Sequence, residues 1–132
     1  METNDSYVYL TKEHVLKLTT DFLTALGLVR EAYWEGTIAR RKDWESRTKW
    51  QRFFSYESEQ LLNMSEDYAK TVYSGREELA QTLIKISEKS DVFFISISDL
   101  KKLDVEEMNK LRLSVLDCNK NNEERRKRNR TR

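Results

Sequence analysis

Apolar residues recur at helical spacing over much of this chain. Val15, Leu18, Phe22 and Leu26 step by 3, 4 and 4 residues, which places them on one face of a helix with 3.6 residues per turn. Thr11 stands where an N-cap belongs and Gly27 where a C-terminal cap belongs. From Leu28 to Phe54 the pattern blurs. At about 100° per residue, Tyr33, Trp44 and Phe54 share one side while Trp34, Ile38 and Phe53 fall elsewhere. The segment reads as a helix apolar on several faces, or as one that bends or forms a hairpin at Glu35-Gly36, with helix from about Ala39 onward. Phe22 to Ile38 compares poorly with a helix-turn-helix, because bulky Leu23 lies four residues before Gly27 and the second helix would meet Gly36.

Leu61, Met64, Tyr68 and Val72 restore the helical stripe, which predicts a helix from about Glu57 to Tyr73. Ser74-Gly75-Arg76-Glu77 has the form of a capping box and opens a helix carrying Leu79, Leu83 and Ile86. Val92 to Ile97 is rich in Phe and Ile between two Ser-Asp pairs, so it reads as a strand whose natural partner is Tyr7 to Leu10. Asp104-Val105-Glu106-Glu107 offers a second capping box, followed by Met108, Leu111, Val115 and Cys118 on one face. That stripe is too short for a free-standing coiled coil; core packing is its default role, and a homodimer seam or a groove for a partner helix the alternative. The expected fold class is α+β, predominantly α-helical: four or five helices with a small two-stranded β element made by Tyr7 to Leu10 with Val92 to Ile97. One helical domain is expected over residues 1–118, and 119–132 is expected to be a basic tail, disordered or a helical extension.

Composition narrows the class. The chain of 132 residues has no proline, three glycines and one cysteine, which suits helices joined by short polar links and allows no internal disulfide. The opening METNDSYVY lacks the basic flank and apolar run of a secretory signal, and a cytoplasmic location is the expectation. The longest apolar run, Val92 to Ile95, is far short of the roughly 20 residues a bilayer span needs, so no membrane is expected as a partner. The Lys-, Asn- and Glu-rich, proline-free composition suits a gene from an AT-rich bacterium or one of its mobile elements or phages.

Charge is unevenly distributed. Residues 119–132 hold seven bases and two acids, a net +5, whereas the whole chain carries only +1. An acidic body with a cationic end can hold a polyanion at one place only. A second basic segment, 40–52, interleaves six bases with Trp44 and Trp50, and aromatic faces beside guanidinium groups can stack on unpaired bases. If that segment were one helix, the two indoles would stand about 120° apart and could not form a single platform.

Catalytic chemistry is mostly closed by absence. His14 is the only histidine and Cys118 the only cysteine, so zinc sites of several His and Cys ligands cannot form within one chain. A Ser or Cys nucleophile would have to use His14 as its base, yet no nucleophile-elbow sequence occurs. The carboxylates are too many and too scattered to nominate a pair. No catalytic residue, metal ligand or cofactor is therefore assigned. The expectation is a small non-enzymatic intracellular regulator or adaptor that binds a protein partner through an aromatic and basic helical surface: Trp34, Arg41, Trp44, Arg47, Trp50 and Arg52. The competing reading is a nucleic-acid-binding protein that uses Arg40, Arg41, Lys42, Arg47 and Lys49 together with Arg125, Arg126, Lys127, Arg128, Arg130 and Arg132.

Overall fold

The computed structural model describes residues 6–54 and 59–130, with side chains to Arg128. Its order is β1 (Tyr7–Thr11), α1 (Lys12–Ser46), α2 (Lys49–Phe53), α3 (Glu59–Thr71), α4 (Ser74–Ser87), β2 (Val92–Ser96), α5 (Ile97–Lys102) and α6 (Val105–Arg130). Four of the described helices are long and two are short, and the strands form one two-stranded antiparallel sheet. The predominantly helical α+β class expected from the sequence is the class observed. Contacts divide the chain into two compact units, Met1–Gly27 with Tyr73–Asn109 and Leu28–Val72 with Lys110–Arg132.

In the first unit the sheet pairs Tyr7 with Ser96 and Thr11 with Val92. Side chains alternate as a half-buried sheet requires: Phe93 and Ile95 point inward, whereas Tyr7, Tyr9, Val92 and Phe94 face solvent. The expected pairing holds, with Ile97 reassigned to the first turn of α5 because Ser96 caps that helix, its hydroxyl accepting from the Asp99 N–H at 3.1 Å. The core of this unit is built on Val15, Phe22, Leu26, Ala80, Leu83, Leu103 and Met108. Thr11 does cap α1, its hydroxyl accepting from the His14 N–H at 3.3 Å, and His14 itself lies exposed in the first turn. Asp104 caps α6 through the N–H groups of Glu106 and Glu107 at 2.9 and 3.2 Å. The Glu107 carboxylate accepts from Arg76 at 3.1 Å.

The expected capping box at Ser74 does not form. Tyr73 takes the cap position in the left-handed region at φ 57°, and its carbonyl accepts from the N–H groups of both Arg76 and Glu77 at 3.1 Å. The Ser74 hydroxyl is then one residue too late, inside the helix. A left-handed tyrosine costs roughly 1 kcal/mol, and the Arg76 guanidinium 4.9 Å from its ring centroid offsets part of that.

Gly27 and Gly36 both lie inside α1, which overturns the predicted stop at Gly27, the bend or hairpin at Gly36 and any helix-turn-helix over that stretch. The buried row Val15, Thr19, Phe22, Leu26, Val29 continues through Ala32 and Gly36 to Thr37 and Asp43, so the tertiary gain from one continuous face outweighs the roughly 1 kcal/mol that each interior glycine costs. The two buried threonines satisfy their hydroxyls on preceding carbonyls, Thr19 on Val15 at 2.7 Å and Thr37 on Tyr33 at 3.0 Å.

In the second unit Gly36 is a notch. A methyl group there would meet the Asn119 amide, with Asn119 Cγ at 2.9 Å, and that amide donates to the Ala32 carbonyl at 2.9 Å. Residues 119–130 continue α6 without a break. The predicted α3 is present, with the described helix opening at Glu59; residues 57 and 58 of the expected span lie outside the described residues. Its orientation differs from expectation: Leu62, Ala69 and Val72 are buried, while Leu61, Met64 and Tyr68 face solvent. On α6, Met108 and Val115 are buried, Leu111 is half-buried and Cys118 is exposed, so most of the stripe packs within the chain, the default role expected for it.

Candidate functional site

The basic and aromatic segment around residue 50 does not form one helix. After Ser46, Thr48 starts α2 with a complete capping box: the Gln51 N–H donates to the Thr48 hydroxyl at 3.2 Å, and the Thr48 N–H donates to the Gln51 side chain at 2.8 Å. Arg52 then reaches back to the end of α1, donating to the Trp44 carbonyl at 3.1 Å and the Glu45 carbonyl at 2.9 Å. Those carbonyls lie in the last turn of α1, where a cation also meets the negative end of the helix dipole.

This corner projects three rings. Trp50 is 74% exposed and Phe53 and Phe54 are each 76% exposed. They contact one another: Trp50 and Phe54 stack at 6.4 Å, Phe53 meets Phe54 edge-on at 5.1 Å, and Trp50 meets Phe53 edge-on at 6.5 Å. A large apolar side chain forgoes about 1.5–3 kcal/mol by staying in water, and three such rings together on a five-residue helix and its C-cap are the kind of surface that a partner covers.

The other residues of the expected docking surface are divided in role. Trp34 on α1 is exposed with Lys70 of α3 5.9 Å from its ring centroid. Trp44 is half-buried beneath two guanidinium groups, Arg47 at 5.9 Å and Arg52 at 5.8 Å. Arg41 joins α1 to α3, donating to Glu66 at 2.5 Å and Asn63 at 2.7 Å. Arg47 pairs at 2.7 Å with Asp43, which is only 5% exposed. These arginines therefore have structural work within the chain, whereas Trp34 and Trp50 are presented outward. Phe53 and Phe54 were missed as site residues. The available signal was their adjacency, since neighbouring helical positions point about 100° apart and one helix face cannot bury both.

A groove of about 420 Å³ lies between α1 and α3, lined by Tyr33, Thr37, Arg40, Leu62, Met64 and Tyr68 among others. Tyr33 and Tyr68 meet edge-on at 5.3 Å. Its lining is mostly apolar with a guanidinium at one side, suited to receiving an apolar side chain.

Of the alternative phosphate-binding set, Arg41 and Arg47 are committed to Glu66 and Asp43, while Lys42 and Lys49 are exposed and Arg40 is half-buried. On α6, Arg125, Lys127 and Arg128 are exposed and Arg126 is half-buried; Lys127 lies 3.4 Å from Glu123. The side chains of Arg130 and Arg132 lie outside the described residues. Among the described residues, no group of three or more His, Cys, Asp or Glu side chains is placed to hold a metal ion, and no helix is long and apolar enough to cross a membrane. No protein-family model, curated protein or solved structure matches this chain.

Proposed function

We propose that this protein is a small cytosolic adaptor or regulator, without enzymatic activity, that docks a protein partner on the aromatic corner of α2. The observation that carries this reading is the trio Trp50, Phe53 and Phe54, mutually packed and three-quarters exposed. Aromatic anchors held in a fixed arrangement concentrate interface energy, and a lysine on the same short helix, here Lys49, supplies a polar neighbour. Trp34 and the groove at Tyr33 and Tyr68 extend the apolar surface of the same unit. The exposed free thiol of Cys118 suits a reducing compartment.

Affinity capture from the native cell tests this, comparing the intact chain with the Phe53→Ser/Phe54→Ser double variant. The expected outcome is loss of a stoichiometric protein partner with the variant and an unchanged circular dichroism spectrum. Equal recovery by both proteins would remove the corner from the function.

A second reading rests on α6, whose helical extension presents Arg125, Lys127 and Arg128 to solvent. A helix carrying bases at this density can follow a phosphate backbone, with binding that weakens steeply with salt. Replacing these three residues by Gln should release the chain from heparin or DNA resin at low salt if this reading holds. A protein-docking module should run through such resin at about 0.3 M salt. Deleting all of 119–132 is unsuitable, because Asn119 packs on Gly36.

A further inference from the structure

Among the described residues, the two-stranded sheet of the first unit has no strand paired to the outer edge of β1. The Lys12 N–H donates to the Asp91 carbonyl and the Ile97 N–H to the Ser6 carbonyl, and in an antiparallel ladder these narrow pairs recur at every second residue. Val8 and Leu10 therefore direct their backbone groups toward β2, and Tyr7, Tyr9 and Thr11 direct theirs away from it. Among the described residues, no further backbone hydrogen bond reaches Tyr7 or Tyr9. The far edge of β2 is closed at its ends: the Ser90 hydroxyl donates to the Val92 carbonyl at 3.0 Å, and Ser96 caps α5.

Natural edge strands are protected by lysine, proline, a bulge or an inward charge. Neither YVYLT nor VFFIS contains a charged residue or a proline, and the register is regular throughout. On the solvent face Tyr7 is 67% exposed, Tyr9 57% and Phe94 70%, and Tyr9 and Phe94 meet edge-on at 5.6 Å.

We propose that β1 pairs with β1 of a second copy of this chain, antiparallel about Tyr9, to make a four-stranded sheet. In that register Tyr9 exchanges both backbone bonds with its counterpart and Tyr7 stands opposite Thr11. Val8 and Leu10 stay on the inner face of both copies, because pairing residues of like parity keeps the two faces aligned. The outer faces then join into one aromatic surface carrying Tyr7, Tyr9 and Phe94 from each copy. The edge is self-complementary as a two-fold interface requires, and it offers an acidic or basic partner strand no countercharge. The net charge of +1 opposes self-association only weakly. This interface belongs to a different unit from the aromatic corner and does not depend on that corner's role.

Sedimentation of the full chain between about 5 and 500 µM, a range that spans weak interfaces, provides the test. The apparent mass should rise from 15.8 kDa toward twice that value, with hydrogen exchange at the Tyr9 and Thr11 amides slowed at least tenfold at the high end. Tyr9→Pro should remain monomeric, because the Tyr9 N–H points outward and its removal leaves the ladder within each chain intact. The Phe53→Ser/Phe54→Ser variant should dimerise like the parent chain. If Tyr9→Pro fails to fold, Tyr9→Lys and the exchange measurement on the parent chain carry the same decision. A monomer at every concentration, a dimer whose Tyr9 amide exchanges as in the monomer, or a dimer unaffected by Tyr9→Pro or Tyr9→Lys would each overturn the proposal.

Discussion

The contact between Gly36 and Asn119 yields a prediction whose sign reverses with background. Gly36 has no positive φ that would require glycine, so replacing it with Ala should gain up to about 1 kcal/mol of helix propensity. Against this, the new methyl would lie 2.9 Å from Asn119 Cγ and 3.1 Å from Nδ2, and closer still to the side-chain oxygen. Relieving such overpacking costs roughly 1–3 kcal/mol. Pushing the amide away also forfeits its bond to the Ala32 carbonyl, worth about 1 kcal/mol. Gly36→Ala alone should therefore destabilise by about 1–3 kcal/mol, and Asn119→Ala alone by about 1 kcal/mol. In the Asn119→Ala background the obstruction is gone, and Gly36→Ala should stabilise by about 0.5–1 kcal/mol. Urea unfolding of the four proteins, compared at constant m, gives the coupling energy directly. If Gly36→Ala has the same effect in both backgrounds, the notch is not what holds α6 against α1 in this unit.

Other substitutions separate neighbouring explanations. Gly27 is exposed in the interior of α1, and a methyl added there would meet no side chain or neighbouring element within 4 Å, so Gly27→Ala should raise stability by about 0.5–1 kcal/mol and move the urea midpoint upward. Asp43→Ala leaves the quarter-exposed Arg47 without its buried carboxylate and should cost about 2 kcal/mol in the same assay. Trp50→Ser, Phe53→Ser and Phe54→Ser should each shift stability by less than about 0.5 kcal/mol, because these rings contact mainly one another and solvent; a large loss would mean that the corner belongs to the core.

Local signals in the sequence were reliable where one residue type had one use. The strand pair, the Thr11 and Asp104 caps and the start of α6 follow from alternation and short-range hydrogen bonding. Glycine has several uses, and here it misled. Gly27 and Gly36 have the letters of a helix end or a bend, but α1 and its buried row run past both, and only the position of Asn119, distant in sequence, explains why Gly36 is small. Ser74 failed for a related reason: Tyr73 accepted a strained backbone and took the cap itself. Of the Leu61, Met64, Tyr68, Val72 stripe only Val72 is buried and the other three face solvent, since periodicity fixes which residues share a side but not which side meets the core. Trp34 and Trp50, singled out by residue type, are exposed. The structural roles of Arg41, Arg47 and Arg52 depend on tertiary partners and on carbonyls that composition cannot reveal.

Arg52 and the Thr48-Gln51 box fasten a helix too short to persist by itself. If the rings dock a partner as proposed, recognition begins from a surface whose shape is settled before any encounter, with little motional freedom left to surrender on capture. On the docking proposed above, a defect in those fasteners would blunt selectivity by loosening the rings they hold.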